Sequence, residues 1–304
     1  MNQCILGKKE SSVSYIFAFA FILLMIAVAV LFEDREIILP EVAALTVGIF
    51  TFREDKWIQR PFHIFLLPSI TAILGFGINF LPILFSLKLL IVLIGMLLTL
   101  RLFKSQLAPA LATGLLPIVT NAHSFLFLFA IFAFVLVLFC LIKVLKIKPI
   151  EDSVPIIYVS HNRWLLAICI IWFLIAYSLD YVYYSAIPPV IVIAFESLNH
   201  PSLKLNVRLK RILALTGASL IGCLTIQYLD NLILAGLIDL LLVAVLLKVM
   251  NLRLPPAFAM VLLPMIMPKE TILHLTLATF LMSTYFMIGI YIIQKKKYPN
   301  PIDL

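Results

Sequence analysis

Twelve apolar runs, each bounded by a short connector, follow one another between residues 15 and 293 and leave this chain almost no choice of solvent. Of its 304 residues 63% are hydrophobic and 12% charged, where a soluble domain carries about 25% charge. Mean hydropathy is +1.15. So few charges cannot cover a surface in water, so lipid must take its place. That excludes a disordered segment, a nucleic-acid module and a secreted disulfide scaffold. Cys4, Cys140, Cys169 and Cys223 lie far apart, with no CxxC pair and no metal-ligand spacing.

The runs are 15–32, 38–52, 62–80, 84–102, 107–120 and 124–142, then 164–181, 187–199, 211–228, 232–248, 254–267 and 272–293. Most are long enough for about 30 Å of hydrocarbon at about 1.5 Å per residue. Four are short: 38–52, 107–120, 187–199 and 254–267. The charges place them. Seven clusters, in alternate connectors and at the two ends, hold 20 of the 23 Lys and Arg residues, among them Arg53, Lys56 and Arg60; Lys204, Arg208, Lys210 and Arg211; and Lys248 and Arg253. The intervening connectors carry Glu33, Asp34, Glu36, Asp180, Asp230 and Glu270. This is the positive-inside pattern, and it predicts twelve crossings of the cytoplasmic membrane with both termini cytoplasmic. The net charge of +8 is then a matter of topology, not of a nucleic-acid partner. Lys8-Lys9 ahead of the first run predicts an uncleaved signal-anchor helix.

The two halves of the chain repeat each other. LAPALATGLLP at 107–117 and LPPAFAMVLLP at 254–264 agree at seven of eleven positions, including Pro109/Pro256 and Pro117/Pro264. The same shift of 147 residues brings Gly75 onto Gly222, and a shift of 148 brings LPEV at Leu39 onto IPPV at Ile187. Six crossings per copy is an even number, so the expectation is an all-α polytopic membrane protein of two parallel six-segment repeats, 1–150 and 151–304, about an axis along the membrane normal.

Proline opens each short run: Pro40; Pro109; Pro188 and Pro189; Pro255 and Pro256. Proline suits the first helical turn, and helices of this length rise roughly 20 Å, so an N-terminus can lie within the membrane and favour a small anion. Charges inside apolar runs are the other candidates, because burial in hydrocarbon is costly without a role. Glu41 and Glu196 lie on proline-led segments, and either also suits a plain interfacial role. Asp239, deepest in an apolar run, is the expected proton-coupling group, with an ion pair to Lys88 as the alternative. His63, His123, His161 and His200 sit near run ends, and His274 farther in. Gly75, Gly77, Gly217, Ala218, Ser219 and Gly222 read as close helix packing. HExxH, GxSxG, P-loop and GxGxxG motifs are absent, so neither an enzyme nor a cofactor is expected.

Three segments, IPPVIVIAFESLNHP (187–201), TGASLIG (216–222) and LPPAFA (254–259), resemble in order and spacing the HPP family of integral membrane proteins, named for a His-Pro-Pro motif. The resemblance implies a membrane transporter, with nitrite the solute linked to plant and cyanobacterial members. Pro255, Pro256 and Ala257 match the motif, whereas Leu254 stands at the histidine position, and the first copy reads Leu107-Ala108-Pro109. The expected function is a secondary transporter or facilitator of a small anionic solute, held at the proline-led helix starts. A membrane scaffold or sensor working with a partner protein is the alternative. The expected partners are the bilayer and a small-molecule solute, with room for a homo-oligomer.

Overall fold

The computed structural model describes residues 12–149, 162–179, 181–199 and 203–297, and among them every regular element is helical. The helices are α1 (Ser12–Leu31), α2 (Pro40–Phe50), α3 (Asp55–Ile58), α4 (Pro61–Asn79), α5 (Phe85–Leu102), α6 (Pro109–Val119) and α7 (Phe125–Val144). They continue with α8 (Asn162–Ser178), α9 (Pro188–Leu198), α10 (Leu205–Tyr228), α11 (Leu232–Val249), α12 (Pro255–Leu262) and α13 (Lys269–Lys297). Each of the twelve apolar runs holds one helix, and the extra one, α3, is a single turn in a basic connector.

Local chemistry explains the boundaries. Proline occupies the first turn of α2, α4, α6, α9 and α12, where its missing N–H has no helical partner to lose. Ser124 caps α7 through Leu126 N, and Asn231 caps α11 through Ile233 N and Leu234 N. Six helices stop at a left-handed residue that is not glycine, among them Lys104 after α5 (φ 47°) and Asn251 after α11 (φ 50°). At both, the next N–H reaches back five residues, Ser105 to Leu100 O and Leu252 to Leu247 O.

Seven helices (α1, α4, α5, α7, α10, α11 and α13) are long and apolar enough to cross a membrane, which marks a multi-pass membrane protein. Only 33–44% of the residues in their spanning windows are buried. The short helices are the opposite. Every residue of α2, α6 and α12 is buried, and in α9 Glu196 alone is half-exposed. A helix apolar on all sides belongs inside the protein. α2 packs on α12 and α6, and α9 packs on α6 and α12, so the four close a central ring, around which α1, α4, α5, α10 and α13 stand.

Glycine sets how closely the outer helices approach this ring. A Cβ on Gly75 of α4 would lie 2.0 Å from the Gly114 carbonyl oxygen of α6, and one on Gly222 of α10 would lie 2.1 Å from that of Val261 in α12. Gly77, expected to serve the same purpose, faces open space.

Connector contacts define two ends. At the basic end, Arg60 donates to the Phe103 and Lys104 carbonyls (3.3 Å each), and Lys210 to that of Met250 (2.8 Å). At the opposite end the Glu36 carboxylate accepts from His123 N (3.2 Å) and Ser124 N (3.1 Å), while the Tyr184 hydroxyl donates to the Thr271 carbonyl (2.9 Å). Tyr184 is thus buried in a specific bond.

Candidate functional site

The ring gathers the four proline-led segments that the sequence singles out, although their prolines do not meet at one point. Each chain entry is apolar and buried: Leu39, Ala108, Ile187 and Leu254 precede the helices. The backbone donors there are largely occupied. In α9 and α12 two successive prolines remove two N–H groups, and the next, Val190 and Ala257, turn back to the Ile187 and Leu254 carbonyls at 2.9 and 3.0 Å. A solute at α9 or α12 would therefore meet the helix dipole and side chains more than free N–H groups.

Those side chains line a cavity of about 170 Å³ at the basic end of the ring. It lies between the end of α9 and the start of α12, where Glu196 and Pro255 both face it. Three basic connectors and the first turns of α10 add the rest: Glu54, Lys56 and Trp57 from the α2–α4 connector, Gln106, Arg211 and Arg253. Formal charges sum to one net positive, from three cations and two carboxylates. The cations facing Glu196 are Arg211 and Lys56. Arg211 also donates to Ser197 Oγ at 2.9 Å, while its Nε, buried, has no hydrogen-bond partner among the described residues. Burial lowers the affinity of the Lys56 ammonium for its proton, and the nearby Glu54 and Glu196 carboxylates partly oppose that shift.

Trp57 depends on glycine. A Cβ at Gly48 of α2 would fall 2.2 Å from the indole, so only Gly48 admits the ring there. At the 148-residue shift Gly48 corresponds to Glu196. One half thus presents an indole against a bare backbone, and the other a carboxylate to the cavity. The charge pattern of the sequence assigns Arg211, Arg253 and Lys56 to topology alone and does not single out Glu54. The available signal was proximity to a proline-led start, as in Arg253-Leu254-Pro255, but connectors far apart in sequence had to be brought together before it had meaning.

The end of α9 is held in place by Gln294 of α13, whose Nε2 donates to the Ser197 and Leu198 carbonyls at 2.9 and 3.2 Å. Its Oε1 accepts from Arg208, which is fully buried and also donates to the Leu203 carbonyl.

The remaining candidates lie elsewhere. Glu41, in the first turn of α2, is 1% exposed, and neither carboxylate oxygen has a hydrogen-bond partner among the described residues. Leu39, two residues before it, donates its N–H to Met25 Sδ of α1. Asp239 is fully buried on α11 and accepts from Thr225 Oγ1 of α10 at 2.6 Å, and its second oxygen has no hydrogen-bond partner among the described residues. Lys88 does not pair with it but donates to the Asn79 carbonyl at the end of α4. Pro40, Pro109, Pro188, Pro189 and Pro256 are buried in the ring away from the cavity lining. His123 stacks edge-on against Phe80, His63 against Phe103, and His274 is exposed on α13. His161 and His200 lie outside the described residues. No cluster of His, Cys, Asp and Glu able to hold a metal occurs among the described residues.

The class defined by these features is a multi-pass, all-helical membrane protein with a buried ring of short helices and a small charged cavity at one end of it. Compared with protein-family models, curated proteins and solved structures, the chain matches none.

Proposed function

We propose that this protein is a secondary transporter or facilitator of a small anionic solute in the cytoplasmic membrane, built as a divergent tandem duplication of an HPP-like unit that crosses twelve times. The observation that carries the reading is the net-positive cavity opening onto a ring of four short helices wholly enclosed by protein. Helices too short to span lipid are tolerated where they are surrounded by protein or line a solute path. A scaffold needs no buried charges at such a position.

Several correspondences support the duplication. The helices follow the same order in each half, leaving α3 aside. Gly75 meets Gly114 as Gly222 meets Val261, each member of the second contact lying 147 residues after its counterpart in the first. Lys104 and Asn251 end corresponding helices with the same left-handed turn. Glu36 to Ser124 and Tyr184 to Thr271 join corresponding connectors. Asp239 has Val92 as its counterpart, so proton coupling, if it resides there, belongs to one half only.

The test is flux into liposomes carrying the purified protein, measured against a panel of small anions that includes nitrite. Saturable uptake is expected for at least one. With that anion, Asp239→Asn is expected to abolish uptake driven by an imposed pH gradient while leaving flux down the solute's own gradient. No flux for any anion, with the protein shown folded, would return the chain to the scaffold reading.

A further inference from the structure

At the end opposite the basic connectors, a groove of about 610 Å³ runs along the packed pair α10 and α13, within the ~300–1,000 Å³ range of small-molecule sites. Cys223, Leu224, Ile272 and Thr276 form its walls, and Arg35, Gln227 and Asp230 line it toward the connector end. Leu224 and Leu273 beside it are 44% and 78% exposed, so on a membrane-spanning helix pair the groove opens sideways to lipid.

The other half shows why the groove exists. At the 147-residue shift Cys223, Gln227, Ile272 and Thr276 correspond to Phe76, Phe80, Phe125 and Phe129, and at 148 Arg35 corresponds to Tyr183. There a cluster of aromatic rings stands at these positions, centred on the buried Phe76. Phe76 lies 5.0 Å from Phe80 and 5.4 Å from Phe125, and Tyr183 lies 6.3 Å from Phe85, the counterpart of the groove residue Leu232. Where one helix pair carries four phenylalanines, the other carries Cys223, Gln227, Ile272 and Thr276, and Arg35 stands above them where the other pair has a tyrosine.

We propose that this groove binds a membrane phospholipid with a zwitterionic amine headgroup, one acyl chain lying along the outer face of α10 and α13, the phosphate against Arg35 and the ammonium toward Asp230. The apolar walls fit the chain, and the opposite charges of Arg35 and Asp230 match the two charges of the headgroup. Arg is suited to phosphate because its fork offers paired donors. The assignment rests on the duplicated architecture proposed above but not on transport, so it is tested without a flux assay.

The purified protein, stripped of lipid in detergent, is incubated with phosphatidylethanolamine or phosphatidylglycerol of the same chains, and bound lipid is counted by native mass spectrometry. One tightly held phosphatidylethanolamine is expected, with phosphatidylglycerol held more weakly. Arg35→Gln, at an exposed connector, is expected to weaken retention about tenfold. The double change Cys223→Phe with Thr276→Phe, which restores the side chains of the other half, is expected to abolish it. Equal retention of phosphatidylglycerol, or unchanged retention in Arg35→Gln, overturns the proposal whether or not the filled variant folds.

Discussion

At the scale of single residues, the cavity makes opposite demands on its cations and its carboxylates. Arg211→Gln removes one positive charge beside Glu196, and KM for a transported anion is expected to rise about tenfold, the effect of one charge-assisted hydrogen bond. Glu196→Gln takes away a repelling carboxylate, and KM should fall. If both signs come out reversed in the liposome assay, the solute is a cation. Lys56 adds a pH dependence. Burial makes its ammonium give up its proton at lower pH than a free lysine, and the neutral amine leaves the cavity without its net positive charge. Anion KM is therefore expected to climb with rising pH earlier than an ordinary lysine would allow. Lys56→Arg, which stays charged, should flatten that limb of the profile.

At the scale of elements, the close crossings of α4 on α6 and of α10 on α12 are where a single methyl group matters most. A side chain at Gly75 or Gly222 would meet backbone, not a yielding side chain. Either Gly→Ala change is therefore expected to cost about 1–3 kcal/mol through displaced helices, seen as a lower thermal midpoint. Gly77→Ala, facing open space, should be neutral or stabilise by up to about 1 kcal/mol through helix propensity. All three are read in sequence as small residues for packing. Nothing in that reading separates Gly77 from Gly75, because the difference lies in which helix face meets a neighbour. Helix starts were far more legible. Proline marks five of them, and the short length of α2, α6, α9 and α12 already argues for an enclosed position.

At the scale of the whole molecule, the charge pattern makes a topological prediction. With both copies parallel, single cysteines placed at Arg53, Lys104, Lys210 and Arg253 in a cysteine-free background should all react with an impermeant maleimide from the same side. Cysteines at Glu36 and Asp230 should react from the other. Labelling of Arg53 and Lys210 positions from opposite faces would remove the parallel duplication and with it the shared ring axis.

Apolar composition and proline register, both local or periodic properties, were enough by themselves to point to an all-helical membrane chain with a helix in each apolar run and short helices at the four proline-led runs. The tertiary structure alone decided that those four close into a ring, that Arg211, Lys56 and Arg253 converge with Glu196 on one cavity, and that Asp239 meets Thr225 instead of Lys88. The physical reason is that such meetings depend on how long helices cross, and the crossings are set by contacts such as Gly75 on Gly114 and Gln294 on the end of α9, between residues 39 and 97 positions apart.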